Sequence, residues 1–353
     1  MGFGPCAVED MVNPVMTDSV FWDNKNVLVT GATGLVGSWL TARLVKLGAR
    51  VAILVRDWDP QSELVRSGTI SRVTVVSGRL EEYADCERAI SEHDIDTVFH
   101  LGAQTIVGTA LRSPLATFEA NIRGTYNLLE ACRVHAKLVK RVLVASSDKA
   151  YGDSPVLPYL ETMPVNGQHP YDVSKSCTDL LATTYHHTYG LPVVTARCGN
   201  IYGGGDLNWS RIIPGTLRSL LRGERPLVRS DGTLTRDYVF VEDAVDAYLH
   251  MAENAERDEV RGEIFNFGPD QPRSVLEVIE TLQKVVARPE LTPVILNESR
   301  AEIQDQYLDS SKAERVLGWK PQYGFEQGLA LTLEWYRNFL NLKPEKEPVG
   351  AVL

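Results

Sequence analysis

From Asn26 onward the chain alternates short β-branched runs with amphipathic stretches, and no other feature restricts its fold so strongly. The runs VLVT, VAILV, VTVV, TVFHL and VLVAS have the length and composition of strands, whereas residues 35–47 and 115–135 between them read as amphipathic helices. Such alternation builds βαβ units, so the spacing predicts an α/β fold with a Rossmann-type doubly wound parallel sheet. After Ser146 the pattern loosens. A loop holding Pro155, Pro158, Pro164 and Pro170 leads into a helix predicted over 171–189 and a strand at PVVTAR. Beyond Gly203 come a Gly-rich loop, a helix near 214–222 and several short strands and helices that end near residue 340, the pattern of a smaller mixed α/β lobe.

With 353 residues, 44% of them hydrophobic, the chain can bury a large core. Its net charge of −10 argues against nucleic acid or an anionic membrane as partner, so an anionic ligand must be held by a few local cations. Cys6, Cys86, Cys132, Cys177 and Cys198 are odd in number and form no CxxC pair, so neither a disulfide framework nor a metal site is expected. The first twenty residues carry Glu9, Asp10 and Asp18 and do not read as a signal peptide. No segment reaches the roughly 18 apolar residues of a membrane span. A cytoplasmic protein is expected.

The sequence TGATGLVG follows the first strand directly, with Gly31, Gly34 and Gly37 at GxxGxxG spacing. Small residues there let the backbone turn tightly and aim the amides of the next helix at a pyrophosphate, so Gly31, Thr33, Gly34, Leu35, Val36 and Gly37 are candidate dinucleotide contacts. An acidic residue usually ends the second strand and accepts the ribose hydroxyls of NAD. Here that place holds Val55, followed by Arg56 and Asp57. Arg56 suits the 2′-phosphate of NADP, Asp57 suits the NAD ribose, and Arg56 as a plain strand-end charge is the third reading. The expectation is NAD or NADP, with a slight lean to NADP.

YDVSK places Tyr171 and Lys175 four residues apart, on one face of a helix. There a cationic lysine would lower the phenol's pKa, and the phenolate would take a hydroxyl proton while hydride leaves the same carbon. SSDKAYG follows the strand VLVA and puts Ser147, Asp148 and Lys149 at its carboxyl end, where ligands of open α/β sheets bind. Ser147 can hydrogen-bond the reacting hydroxyl.

TGATGLVG, HLGAQ, SSDKAYG, YDVSK and RCGNIYGGGD, in this order, resemble the extended short-chain dehydrogenase/reductase family. Within it the chain is similar to the nucleotide-sugar 4,6-dehydratases, above all those acting on CDP-glucose, from residue 21 to residue 323. The stretches 21–40, 100–104, 203–206 and 211–219 carry that likeness. The resemblance implies a nucleotide-diphosphate sugar as substrate and a tightly bound, recycled nicotinamide cofactor. Tyr171, helped by Lys175 and Ser147, would deprotonate the C4 hydroxyl; Asp148 would be the acid expelling the C6 hydroxyl; Lys149 would be the base taking the C5 proton. It also implies cofactor contacts at Leu101, Ala103 and Gln104, with Gln104 touching ribose or sugar, and diphosphate contacts at Asn200, Arg211 and Arg236. The helices over 115–135 and 171–189 would pair across a homodimer as a four-helix bundle.

Two departures stand out. The family's acidic adenine-binding residue falls at Arg79, leaving adenine to backbone at Leu80, and the short DSPVLPYLETMP replaces a long insertion of the CDP-glucose enzymes. The expected organisation is a tail over 1–20, a mainly NAD(P)-binding domain over 21–200 and a mainly substrate-binding lobe over 201–341 that interleaves with it. A second tail occupies 342–353. A 4-epimerase, which needs the tyrosine but no acid and base beside it, is the alternative; a non-catalytic dinucleotide-binding regulator is the remote one.

Overall fold

Residues 27–30 are buried one after another, the pattern of a strand covered on both faces, and they form β1 (Asn26–Thr30). The computed structural model describes residues 19–298 and 303–341; the expected C-terminal tail and most of the N-terminal one lie outside them. Of the latter, Ser19 opens a short helix, Ser19–Trp22, whose Trp22 is fully buried. Five further strands follow the sequence expectation: β2 (Arg50–Val55), β3 (Thr74–Ser77), β4 (Thr97–His100), β5 (Arg141–Ala145) and β6 (Val193–Cys198). The strand Ile264–Phe267 completes a seven-stranded sheet. Its spatial order is β3-β2-β1-β4-β5-β6 and then Ile264–Phe267, every pair parallel. The order reverses between β1 and β4, and that crevice is where an open α/β sheet receives ligands.

Alternate residues of each strand enter different cores. Val27, Val29, Ile53, Phe99 and Leu143 join Leu40 and Leu44 of the helix Leu35–Lys46 and Leu249 of the helix Val241–Asn254 on one face. Leu28, Leu54, Val98 and Val142 join Ile90, Leu128 and Cys132 on the other. The lobe has its own core, in which Leu217, Leu282, Leu329 and Tyr336 meet between the helices Ile212–Leu221, Val275–Val286 and Phe325–Phe339. The chain leaves the sheet after β6 and comes back to it at 241–267 before the lobe is complete.

The helix expected over 171–189 spans Pro170–Tyr189, opened by proline at its first position and closed by Gly190 in the left-handed region at φ 68°. The helix expected over 115–135 is interrupted. Pro114–Phe118 and Gly124–Val134 are α-helical, and Glu119–Arg123 between them is a π turn. π turns interrupt the regular helical ladder and widen the helix. Asn121, which is buried, lies within this one.

Candidate active site at the carboxyl end of the sheet

The turn after β1 is built for close approach. Gly31 sits at φ +74°, and a Cβ on it would come within 2.7 Å of Gly102 N, in the loop after β4. A Cβ on Gly37 would collide with the Gly31 carbonyl, whereas one on Gly34 would meet only that oxygen, at 3.3 Å. Gly34 caps the helix Leu35–Lys46 without a side-chain bond, so the amides at Leu35, Val36 and Gly37 open that helix with no side chain covering them. Thr33 is half-buried beside them. A cradle that excludes every Cβ at two of its glycines and ends in free helix amides fits a pyrophosphate, and so fits a dinucleotide.

The loops after β3 and β4 meet this turn. A Cβ on Gly102 would strike Leu80 Cδ1 at 2.7 Å, and the Leu80 carbonyl is taken by Asn127 Nδ2 at 2.9 Å. Arg79 is exposed, its amide held by Asp85 at 2.8 Å, with Leu101 and Ala103 half-buried in the next loop. Arg56 lies 2.6 Å from Asp57 and 3.5 Å from Glu81. The guanidinium that carried the lean to NADP is thus shared with two carboxylates.

The reactive groups gather at the end of β5. Ser147 caps the turn Asp148–Tyr151 by accepting from Lys149 N at 3.3 Å, and its Oγ donates to Asp148 Oδ1 at 2.9 Å. The Ser147 hydroxyl also lies close enough to the Tyr171 phenol to lower its pKa. Asp148 is 2% exposed; its Oδ1 stands 3.6 Å from Lys149 Nζ, and its Oδ2 has no partner among the described residues.

One electrostatic expectation is not met. Burial pushes the Tyr171 phenol up to about 12, against the Ser147 hydroxyl and the positive charge of Arg211, while Asp148 and Asp172 push it further up. Lys175 turns its Nζ to the Ala145 carbonyl at 2.7 Å, and burial brings it down to about 8 against the pull of Asp179 and Cys198. The YxxxK spacing put the two residues on one helical face but did not set where the ammonium points. Behind them lies a buried ion pair, Asp179 with Arg197 at 2.8 Å, and the Arg197 guanidinium stacks 4.4 Å over the Tyr151 ring.

Gln104 is fastened at three points. Its amide and carbonyl bond the Asn121 side chain at 2.7 and 3.0 Å, and its Oε1 accepts from Ile106 N at 2.9 Å. Asn121 Nδ2 also reaches Ser174 Oγ at 2.9 Å, so this residue, missed in the sequence, ties the loop after β4 to the helix of Tyr171. Among the substrate candidates, Asn200 opens a short strand, Asn200–Tyr202, that leaves β6 for the lobe. Arg211 pairs with Asp206 of the GGGD loop at 3.0 Å and acts on Tyr171. Arg236 is 8% exposed and donates to the carbonyls of Thr235, Ile303 and Gln304. Asn200 and Arg236 therefore stand on the lobe side, and only Arg211 bears directly on the tyrosine. Gln306, which no sequence signal marked, accepts from Lys149 Nζ at 3.2 Å.

A doubly wound sheet with a YxxxK pair and a serine at its carboxyl edge defines the class of the short-chain dehydrogenases and reductases, as the motifs implied. More narrowly, the chain belongs to the family described as GDP-mannose 4,6 dehydratase, whose model matches residues 28–332. A CDP-glucose 4,6-dehydratase of Salmonella typhimurium is 29% identical over 341 residues, covering 92% of this chain and 94% of its own. Among solved structures, the dTDP-glucose 4,6-dehydratase DesIV of Streptomyces venezuelae, with NAD and TYD bound, is similar with TM-score 0.80 at 27% identity, over 88% of this chain and 97% of that one. The UDP-glucose 4-epimerase of Thermotoga maritima, with UDP-glucose, gives TM-score 0.81 at 29% identity over 89% and 99%.

Proposed function

We propose that the chain is a nucleotide-sugar 4,6-dehydratase, turning a nucleotide-diphosphate glucose into its 4-keto-6-deoxy derivative with loss of water, CDP-glucose being the favoured substrate. The observation that carries this reading is the Asp148 and Lys149 pair, 3.6 Å apart and one serine away from Tyr171. A 4-epimerase has no need of an acid and a base there.

Tyr171, beside Ser147, takes the proton of the C4 hydroxyl. A bound nicotinamide supplies the redox half of the cycle, accepting hydride from C4 and returning it to C6. The C4 ketone acidifies the C5 proton, which Lys149 Nζ removes. Its electron pair becomes the second bond between C5 and C6 as the C6–O bond breaks, and the oxygen leaves as water with the proton of Asp148. Lys149 finally gives its proton back to C5. Residues 31–37 would hold the pyrophosphate and Lys175 the nicotinamide ribose, with Arg211, Arg236 and Asn200 toward the substrate diphosphate. The cofactor this reading favours is NAD, because Arg56 is paired with Asp57 and Glu81.

The reading extends to a cytoplasmic homodimer. Among the described residues Cys86, Cys132, Cys177 and Cys198 are free thiols, as in a reducing compartment, and no helix is long and apolar enough to cross a membrane. The helices Pro114–Phe118, Gly124–Val134 and Pro170–Tyr189 leave Leu115, Tyr126, Leu180 and Tyr189 exposed, an apolar surface that a second copy would cover.

The test is incubation of the purified protein with CDP-glucose, dTDP-glucose, UDP-glucose, GDP-mannose and UDP-GlcNAc, with NAD and separately with NADP, followed by mass spectrometry. A product lighter by one water establishes the dehydratase and its nucleotide. An isomer of unchanged mass would make it an epimerase and remove the roles of Asp148 and Lys149.

A further inference from the structure

An acid and a base 3.6 Å apart tend to neutralise each other, and a dehydratase must keep them aimed at different atoms of the sugar. The structure holds Lys149 from the opposite side. Its Nζ donates to Gln306 Oε1 at 3.2 Å, a contact between residues 157 apart in sequence. Gln306 is 2% exposed and lies on the short strand Asp305–Gln306, which pairs with Thr235–Arg236. Each end of that segment is fixed. Arg236 donates to the carbonyls of Ile303 and Gln304 at 2.6 and 3.0 Å, Leu308 N donates to Asp237 Oδ2 at 2.7 Å, and Tyr159 brackets the segment through its amide to Tyr307 O and its carbonyl to Asp309 N.

The two polar atoms of this side chain are held unequally. Oε1 accepts from the lysine, whereas Nε2 makes no close hydrogen bond among the described residues and faces the Tyr159 hydroxyl, which itself donates to the Gly152 carbonyl. The close contact of the glutamine is therefore the one with the lysine.

We propose that Gln306 is a positioning residue for Lys149: by accepting one N–H of Nζ it turns the amine toward C5 of the sugar and away from the Asp148 carboxyl. The inference rests on the dehydratase reading. The step it serves is the one in which the C5–H bond breaks, the proton goes to Nζ, the electron pair enters the C5–C6 bond, and the C6 oxygen departs as water with the proton of Asp148. Without the acceptor, Lys149 falls back on Asp148, and both groups are withdrawn from the sugar. The charged and titratable groups around Lys149 are Asp148 beside it, Asp172 on the helix of Tyr171, and, bearing on Asp148, Asp237 and Tyr159.

The test compares Lys149→Met, Gln306→Leu and Gln306→Glu on CDP-glucose and dTDP-glucose, each unlabelled and deuterated at C5. Gln306→Leu is expected to lower kcat about tenfold, as for a lost hydrogen bond to a charged group, with KM within about twofold and a larger C5-deuterium isotope effect. Gln306→Glu keeps the acceptor and adds a carboxylate, which favours the ammonium. Its acid limb of kcat against pH is therefore expected to move to higher pH, and this readout serves should the leucine variant fail to fold. If Lys149→Met blocks elimination while the isotope effect of Gln306→Leu and the acid limb of Gln306→Glu both match the parent's, the positioning role is wrong and the dehydratase reading stands. If Lys149→Met eliminates water at the parent rate, the base assignment fails, and the role of Gln306 with it.

Discussion

Lys175 Nζ lies 2.7 Å from the carbonyl oxygen of Ala145, the last residue of β5, and so fastens the helix of Tyr171 to the strand that delivers Ser147. The ammonium is fully enclosed, and burial brings its pKa down to about 8, opposed by Asp179 one turn along the helix and by Cys198. Lys175 is thus cationic below about pH 8 and neutral above it. Since the proposed role of the cation is to hold the nicotinamide ribose, kcat is expected to fall as pH rises through about 8 and that contact loses its charge. A rate that keeps climbing to the limit of the protein's alkaline stability would show that the neutral amine suffices.

The cradle after β1 makes a paired prediction. In Gly37→Ala the new methyl meets the Gly31 carbonyl, a backbone atom that cannot move without opening the turn, whereas in Gly34→Ala it meets the same oxygen at 3.3 Å. Gly37→Ala is expected to lose dinucleotide binding and several degrees of Tm; Gly34→Ala is expected to keep its Tm. Calorimetric titration with NAD alongside thermal melts separates the two. Equal Tm values for both variants would contradict the geometry.

Tyr171→Phe should leave the fold intact, because the ring stays buried and only the phenol hydroxyl is removed, a change of about 1 kcal/mol or less. Loss of the proton acceptor at C4 is expected to lower kcat by about 10²–10⁴. Reduced nicotinamide absorbance after mixing with substrate should vanish in this variant and accumulate in Lys149→Met, which stops the cycle one step later. Accumulation in both would place the C4 base elsewhere.

Asn121→Ala removes three hydrogen bonds at once, two to the Gln104 backbone and one to Ser174, and leaves half-buried backbone groups of Gln104 unpaired. A loss of roughly 2–4 kcal/mol is expected from urea unfolding, at the upper end for a single polar deletion. Ser174→Ala, which loses one of the three contacts, should cost less than half as much. If the two variants are equally stable, the Gln104 contacts contribute nothing.

These residues also mark how far the sequence was legible. Strand positions, the glycine turn and the helix of Tyr171 follow from local patterns: runs of β-branched residues, glycines after a strand, a proline before a helix. Asn121 did not show, because the apolar spacing of 115–135 continues through the π turn and nothing local announces that the helix widens there. Gln306 was invisible for another reason, since its partner is 157 residues away on a different lobe. Arg56 was readable as a cation at the right strand end, but its pairing with Glu81 depends on how the loop after β3 lies against β2. Charge type is local information; charge environment is not.

Asp237 offers a stability test with a definite sign. It is fully buried, and burial raises its carboxyl from the ordinary 3.8 to about 7, opposed by the Leu308 amide and helped by the charges of Asp148 and Asp270. Asp243, also buried, is raised to about 7. A folded-state pKa above the unfolded value means the native state holds more protons between the two, so stability is fully present below 3.8 and is lost as pH rises through about 7. Thermal melts should therefore show Tm falling from pH 5 to pH 8. Asp237→Asn keeps an oxygen for the Leu308 amide and removes the titration, so it should match the parent near pH 5, surpass it near pH 8, and leave the part of the slope that belongs to Asp243. Parallel curves for parent and variant across this range would show that Asp237 does not titrate in the folded protein, and its neighbour Asp148 would then face a fixed charge rather than a neutral carboxyl.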